Sequence, residues 1–243
     1  MKKIITYLAL FLFSANVIAQ KDSKLSSFLK KAGVVTPGNS SPTLSSDEIV
    51  SGLKEALSLG AQKSSDRLSV VDGFFRDAVI KILMPPEITR VENKLRLLGM
   101  GKLVDNAILS MNRAAEDASK SAAPIFLGAI KKMSVQDAVG ILRGTDSSAT
   151  SYLRKSTSEQ LTSAFMPVVQ ASLDKVDATK YWKDVFSAYN RFTPSPVNTD
   201  INSYVTQKAL NGIFYYVAQE EKNIRANPAA RATDILKKVF GSK

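Results

Sequence analysis

The sequence predicts an all-α protein, either a multi-helix bundle or an orthogonal array of helices in a single domain. Apolar residues recur at helical spacing along most of the chain, and helix-capping patterns precede several of these runs. No run alternates apolar and polar residues as a half-buried strand does. With 243 residues, 44% of them apolar, the chain is long enough to bury a sizeable core without cross-links.

The N-terminus has the pattern of an export signal. Two lysines precede an apolar run over 4–13, and Val17 and Ala19 stand at the positions that predict cleavage before Gln20. The run of about ten residues is shorter than the roughly twenty that cross a bilayer, and no later segment is long enough. We therefore expect residues 1–19 to be removed, leaving no transmembrane segment. The expected location is the bacterial periplasm, with secretion as the alternative.

The mature chain is predicted to begin with a tether and to continue as one helical domain. Residues 20–44 form the flexible tether, because 33–46 is rich in Gly, Pro, Ser, Thr and Asn. The domain spans 45–243. Its first helix is predicted to start at a capping box formed by Ser45 and Glu48.

The next two helices are predicted from recognisable first and last residues. Pro86 is a favourable first residue and Gly99 a favourable stop, which predicts a short helix between them. Residues 102–121 place several alanines on one apolar stripe, so this helix should pack closely against a neighbour. Pro124 should end or kink it.

The second half of the domain contains further capping patterns. Ser134 should open a helix that Gly144 closes. The polar residues 145–157 follow, and a capping box at Ser156 predicts a new helix over 161–176. An aromatic face comes next, formed by Trp182, Val185, Phe186 and Tyr189. A long helix over 200–226 and a last helix after Asn227 and Pro228 complete the domain.

Composition removes several classes of chemistry. The chain has no cysteine and no histidine, which excludes disulfides, thiolate metal sites and imidazole catalysis. Nothing in the sequence indicates a cofactor or a metal. A net charge of +11 favours lipid headgroups or other anionic ligands. Nucleic acid is not expected, because no window carries five or six like charges.

One carboxylate is predicted to face the core. On a helical wheel for residues 205–224, Glu220 falls between Ala209 and Ile213 in the middle of the apolar arc. A buried charge needs a cation, which could come from one of three arginines: Arg113, Arg154 and Arg231. Glu221 and Arg225 are interpreted as an ordinary pair at the edge of the arc. Similarly, Arg113 is expected to form a surface ion pair with Glu116 and Asp117.

The candidate site is a single polar centre within the apolar bundle. It contains eight residues: Arg113, Glu116, Asp146, Thr150, Tyr152, Arg154, Glu220 and Arg225. A helix that begins near Ser147 would offer free backbone N–H groups to a capping residue or an anion. We expect the segment 146–154 to pack within side-chain reach of 113–117 and of Glu220. The centre is either a structural network or a site for a ligand or for catalysis.

Several spaced motifs resemble one bacterial family. They include MNRAAE over 111–116, MSVQDA over 133–138, ATSYLR over 149–154 and EEKNIRANP over 220–228. Together they are similar to the uncharacterised family filed as domain of unknown function 4197, over roughly 44–241. The resemblance implies an exported, helical protein and assigns no activity. Some members have a lipoprotein cysteine, which this chain lacks, so the resemblance implies no membrane tether here.

Two functions from different classes fit these observations. The favoured one is a non-enzymatic binding or structural protein of the bacterial envelope, with a hydrophobic or anionic ligand or a protein partner. The alternative is a carboxylate-dependent or divalent-cation-dependent hydrolase that acts on an envelope polymer. In the alternative, Glu116, Asp146 and Glu220 would supply the acid and base groups or the metal ligands. Arg113, Arg154 and Tyr152 would complete that site.

Overall fold

The computed structural model describes residues 45–175, 190, 196, 200–227 and 237. In this part of the chain the all-α prediction is confirmed, with helices and no strands. The α-helices are α1 (Ser46–Ser69), α2 (Thr89–Leu97), α3 (Gly101–Ser119), α4 (Ala122–Lys132), α5 (Val135–Arg143), α6 (Ser148–Asp174) and α7 (Ile201–Ala226). A short 3-10 helix (Pro86–Ile88) leads into α2.

The predicted helix starts at two capping boxes are confirmed. Ser45 Oγ accepts a hydrogen bond from the Glu48 amide at 3.2 Å, and the Glu48 carboxylate accepts one from the Ser45 amide at 2.8 Å. Ser134 and Asp137 form the same reciprocal pair at the start of α5. Gly144 is the C-cap of α5, also as predicted.

Two predicted helix boundaries are wrong. The helix predicted to start at Ser156 is part of α6, because the Ser156 hydroxyl donates to the Tyr152 carbonyl one turn earlier and caps nothing. The break after α3 falls at Lys120, before Pro124 is reached. Pro124 lies in the first turn of α4, where its missing N–H costs no intrahelical bond.

The core lies where α3, α6 and α7 pack against one another, and α1 covers α3, α4, α5 and α7. On α3, Ala114, Ala115 and Ala118 are fully buried, so the close packing expected of this alanine stripe is observed. Phe126 of α4 meets Phe214 of α7 edge to face, with ring centroids 5.6 Å apart.

Residues 70–85 contain no regular helix, yet they contribute side chains to the core. Phe74 and Ile82 are fully buried. A Cβ on Gly212 of α7 would lie 2.6 Å from the Phe74 ring, so only glycine lets the ring approach this closely. Phe74 and Ile82 therefore anchor the segment to the core, and the backbone polar groups beside them need partners from the surrounding helices.

Several predictions concern residues outside the described part of the chain. These are the signal at 1–19, the tether at 20–44, the aromatic face at Trp182, Val185, Phe186 and Tyr189, the helix after Pro228, and Arg231. Within the described residues, no helix combines the length and the apolarity needed to cross a bilayer.

Candidate functional site

Glu116 of α3 is a buried carboxylate that holds the segment 70–85. Its side chain is 4% exposed. Oε1 accepts hydrogen bonds from the amides of Phe74 at 3.0 Å and Phe75 at 3.1 Å. Oε2 accepts one from Arg113 Nη1 at 2.7 Å. The carboxylate is therefore hydrogen-bonded on both oxygens and paired with an arginine, which offsets the cost of burying it.

Arg113 extends this arrangement to the start of the segment. Its Nη2 donates to Asp72 Oδ1 at 2.7 Å. Asp72 has a φ of 72°, a left-handed conformation that aspartate tolerates better than most residues. The hydrogen bond to Glu116 raises the pKa of Arg113, and although burial opposes this, the bond to Asp72 adds to the rise. We call Asp72, Arg113, Glu116 and the amides of Phe74 and Phe75 the Glu116 cluster.

Asn112, next to Arg113, fixes the far end of the same segment. Its Oδ1 accepts from the Ile82 amide at 2.9 Å, and its Nδ2 donates to the Ile82 carbonyl at 2.8 Å. Nδ2 also donates to the Ile108 carbonyl within α3 at 2.7 Å. The motif at 111–116 thus supplies a polar anchor near each end of a segment that has no helix of its own.

Glu221 of α7 is the second buried carboxylate, and it caps the first turn of α6. It accepts from the amides of Ala149 and Thr150, both at 2.9 Å, and from the Thr150 hydroxyl at 2.8 Å. Ser147, the N-cap residue of α6, makes no side-chain capping bond. The cap is therefore provided by another helix, and its negative charge lies at the positive end of the α6 dipole.

Arg225 neutralises Glu221 and ties in a third helix. Its Nε and Nη2 donate to Glu221 Oε1 at 3.1 and 2.9 Å, and Nη2 also donates to the Ile141 carbonyl of α5 at 2.8 Å. The two side chains are 8% and 4% exposed. We call Glu221, Arg225, the Ile141 carbonyl and the first turn of α6 at Ala149 and Thr150 the Glu221 cluster.

The prediction of a core-facing Glu220 is wrong by one residue. Glu220 is 26% exposed and lies 3.9 Å from Lys63 Nζ of α1, whereas Glu221 is buried. The helical wheel assumed a single buried face along the whole helix. Helix α7 instead packs against α1, α3 and α6, so its buried face is wide, and near its C-terminus that face includes Glu221.

The expected surface pairing around Arg113 also differs. Arg113 and Glu116 do pair, but Glu116 is buried and Arg113 is only partly exposed. Asp117 is instead bound by Lys120 Nζ at 2.8 Å and by the Ser172 hydroxyl at 3.2 Å.

The remaining predicted site residues, Asp146, Tyr152 and Arg154, make no hydrogen bond or ion pair with either cluster. Asp146 is exposed in the connection before α6. Tyr152 is half-buried, and burial together with the charge of Asp137 raises its pKa. Arg154 is exposed, stacks on the Phe214 ring at 4.3 Å and donates to Asn211 Oδ1 at 3.4 Å. The structure thus divides the predicted single centre into the Glu116 cluster, the Glu221 cluster and isolated side chains.

A third polar arrangement, around Asp77, was not anticipated from the sequence. Asp77 Oδ1 accepts from the amides of Val79 at 2.9 Å and Ile80 at 3.2 Å, and the Tyr216 hydroxyl donates to Oδ2. Arg67 donates to the Tyr216 oxygen at 2.9 Å and lies over its ring. The hydrogen bond from the Val79 amide to the Asp77 side chain, two residues earlier, forms an Asx-turn. Such a turn depends on local residues, so it could have been predicted from the sequence.

In all three arrangements a carboxylate accepts hydrogen bonds from backbone amides and so fixes the backbone. The oxygens of each buried carboxylate accept hydrogen bonds from two consecutive backbone amides and from an arginine. Among the described residues no three acidic side chains converge in a way that could hold a metal ion. The geometry is that of structural capping.

Comparison with known proteins gives one match. A family model described as "Protein of unknown function (DUF4197)" matches residues 43–241, which include both clusters. No curated protein matches the chain, and no solved structure matches it.

Proposed function

Because the chain belongs to the DUF4197 family, to which no function is assigned, we propose its role from its own geometry: a non-enzymatic binding protein of the bacterial envelope. Its helices serve as a rigid scaffold that presents a surface to a hydrophobic or anionic ligand. The protein is exported by its N-terminal signal and works in the periplasm.

The observation that carries this proposal is the state of Glu116 and Glu221. A general acid or base must reach the proton that it transfers and must exchange that proton during turnover. Both carboxylates are buried, and each is held by two backbone amides and an arginine. Because their oxygens are occupied by these hydrogen bonds, the two carboxylates stabilise the fold, which supports a binding role over a hydrolytic one.

The other acidic residues of the hydrolase alternative lend it no support. Asp146 is exposed in a connection, and Glu220 lies beside Lys63 on the α1 side of α7. Retaining and inverting glycosidases hold their two carboxyl groups about 5 to 9.5 Å apart across one cleft. Glu116 instead accepts hydrogen bonds from backbone amides of the segment 70–85 and pairs with Arg113, an arrangement that does not support such a cleft.

Native mass spectrometry of the protein purified from its own envelope tests the proposal. We expect a lipid or another anionic molecule to co-purify with the chain. The Asp146→Asn/Glu220→Gln double variant removes the accessible carboxylates of the alternative, and it should retain the same adduct. Release of fragments from purified envelope polymer by the parent chain, and not by this variant, would overturn the proposal in favour of the hydrolase.

A further inference from the structure

The turn between α2 and α3 exposes a group of apolar side chains that neither polar cluster explains. Leu97 is 87% exposed and Leu98 is 75% exposed, and Met100 and Leu103 beside them are also exposed. We call these four residues the apolar tip. Helix α2 has no buried residue and packs on α3 and the 3-10 helix. The tip therefore lies at the end of a helical hairpin on the surface of the bundle.

The backbone of the turn is well defined, so the exposure of the tip is built into the fold. The Met100 amide donates to the Leu95 carbonyl at 2.9 Å, and the Gly99 amide donates to the Arg96 carbonyl at 3.1 Å. Gly99 has a φ of 78°. These two bonds with a left-handed glycine form a Schellman motif, which ends α2 and sets the direction of the chain into α3.

Cationic side chains lie on both sides of the tip in the sequence. Lys94 and Lys102 are exposed, and Arg90 is exposed at the other end of α2. The nearby carboxylates of Glu92 and Asp105 share Arg96, at 3.0 and 2.8 Å, so one of their two negative charges is compensated there. With the exposed Lys94 and Lys102, the residues 92–105 carry a net charge of +1, which gives the hairpin end a small positive potential.

We propose that the apolar tip inserts into the surface of a membrane that contains anionic phospholipid. Exposed leucines flanked by lysines are the composition that binds at the boundary between headgroups and acyl chains. The apolar side chains enter this boundary and the lysines contact the phosphates. The inference rests on the proposed function, since it names the anionic ligand as a lipid surface.

The shape and size of the tip favour a membrane over a protein partner. A stable protein interface takes about 20–30 residues from each side. The apolar tip offers four apolar side chains at one turn of a hairpin. A lipid surface can close around a projecting turn of this size, because its molecules rearrange individually.

Binding to vesicles tests the proposal. The protein, purified in its exported form, is sedimented with vesicles of phosphatidylcholine alone or mixed with phosphatidylglycerol. We expect binding to the anionic vesicles that weakens as salt is added. The Leu97→Ser/Leu98→Ser variant should bind at least about tenfold more weakly, because two apolar side chains no longer leave water.

A matched control separates the tip from general surface apolarity. Val71 and Val79 are also exposed apolar residues, but they lie in the segment 70–85. The Val71→Ser/Val79→Ser variant should bind anionic vesicles like the parent. Because all four substituted side chains are exposed, both variants should keep the parent's helix content and unfolding midpoint.

Three results would overturn the proposal. They are absence of parent binding to anionic vesicles, equal binding by the tip variant, and a change of the tip variant from dimer to monomer in sedimentation velocity. The last would identify the tip as a contact between chains. The proposed function is tested separately, because it fails only if the parent chain, and not the Asp146→Asn/Glu220→Gln variant, releases fragments from envelope polymer.

Discussion

At the scale of single residues, Glu116 and Glu221 are held by the same kind of arrangement. Each accepts two consecutive backbone amides from another part of the chain. Each is neutralised by an arginine one turn away on its own helix, Arg113 before it and Arg225 after it. Burial of a lone carboxylate costs several kcal/mol, and these partners offset that cost. Each arrangement joins two segments while leaving no charge unpaired.

Replacement of Glu221 should therefore be costly. In Glu221→Ala the buried Arg225 loses its counter-ion and the first turn of α6 loses its cap, so we expect a loss of about 3 kcal/mol in the free energy of unfolding. The neighbouring Glu220→Ala variant is the control. Its side chain is partly exposed, and its 3.9 Å pair with Lys63 should contribute within about 0.5 kcal/mol. Equal unfolding midpoints in urea for the two variants would contradict this assignment.

Asp77 should make part of the stability depend on pH. Burial raises the pKa of Asp77, but the hydrogen bonds from Tyr216, Val79 and Ile80 together with the charge of Arg67 outweigh it, so the pKa lies below its usual value. A carboxyl with a lowered folded pKa contributes stability above about pH 4, and that contribution is lost as pH falls through the folded value.

The Asp77→Asn variant measures this contribution. The stability difference between parent and variant should be largest at neutral pH and should shrink as pH falls below about 4. Urea unfolding of both proteins at neutral pH and near pH 3 provides the measurement. A difference that stays constant over this range would show that the charge of Asp77 contributes nothing.

The residue scale is also where sequence-based reasoning failed. The helical wheel correctly predicts a carboxylate on the buried face of α7 but assigns it to Glu220, because a wheel assumes that only one face of the helix is buried. Which of two adjacent glutamates is buried depends on α6, whose first turn meets α7 at Glu221. No periodicity within α7 contains that information.

At the scale of elements, the helices could largely be predicted and the segment 70–85 could not. Ser45 and Ser134 predict helix starts because each forms capping hydrogen bonds with the residue three positions later. The segment is held by residues far along the chain, since Ile82 is bound by Asn112 and the Leu83 carbonyl accepts from Tyr204. Local patterns predict local bonds such as the Asx-turn at Asp77, but the bonds that fix this segment to α3 and α7 come from distant side chains and have no local signal.

Removal of the Asn112 amide should loosen this segment selectively. In Asn112→Ala the buried amide and carbonyl of Ile82 lose their partners, which should cost about 2–3 kcal/mol. Amide hydrogen exchange should speed up around Ile82 more than in α6 or α7. Asn106→Ala, at an exposed position of the same helix, is the control and should change stability by less than about 0.5 kcal/mol. A uniform increase in exchange across the protein would argue against a local anchor.

At the scale of the whole molecule, the fold class followed from features spread along the chain. The alanine stripe of α3 and repeated capping boxes each favour helices, and they agree with one another. The surface is less determined by such patterns. Whether Leu97 and Leu98 are covered depends on the position of the α2–α3 hairpin relative to the bundle, which no residue pattern states.

Export is the prediction that concerns the entire chain. We expect the mature protein to begin at Gln20 and to leave cells on osmotic shock, or on a high-salt wash if the apolar tip holds it to lipid. N-terminal sequencing and cell fractionation provide the measurement. Recovery of an uncleaved chain from salt-washed membranes would refute both cleavage and release.

The Glu221 cap also sets an order of events in time. Glu221, which caps the first turn of α6, lies 71 to 72 positions after the amides that it binds. Glu116 lies only 41 to 42 positions after Phe74 and Phe75. At about 5–20 residues per second, a chain under synthesis therefore carries an uncapped α6 for several seconds. Among the described elements, α6 lacks this cap until α7 has been made, so we expect early folding to involve α1, α3 and the segment between them.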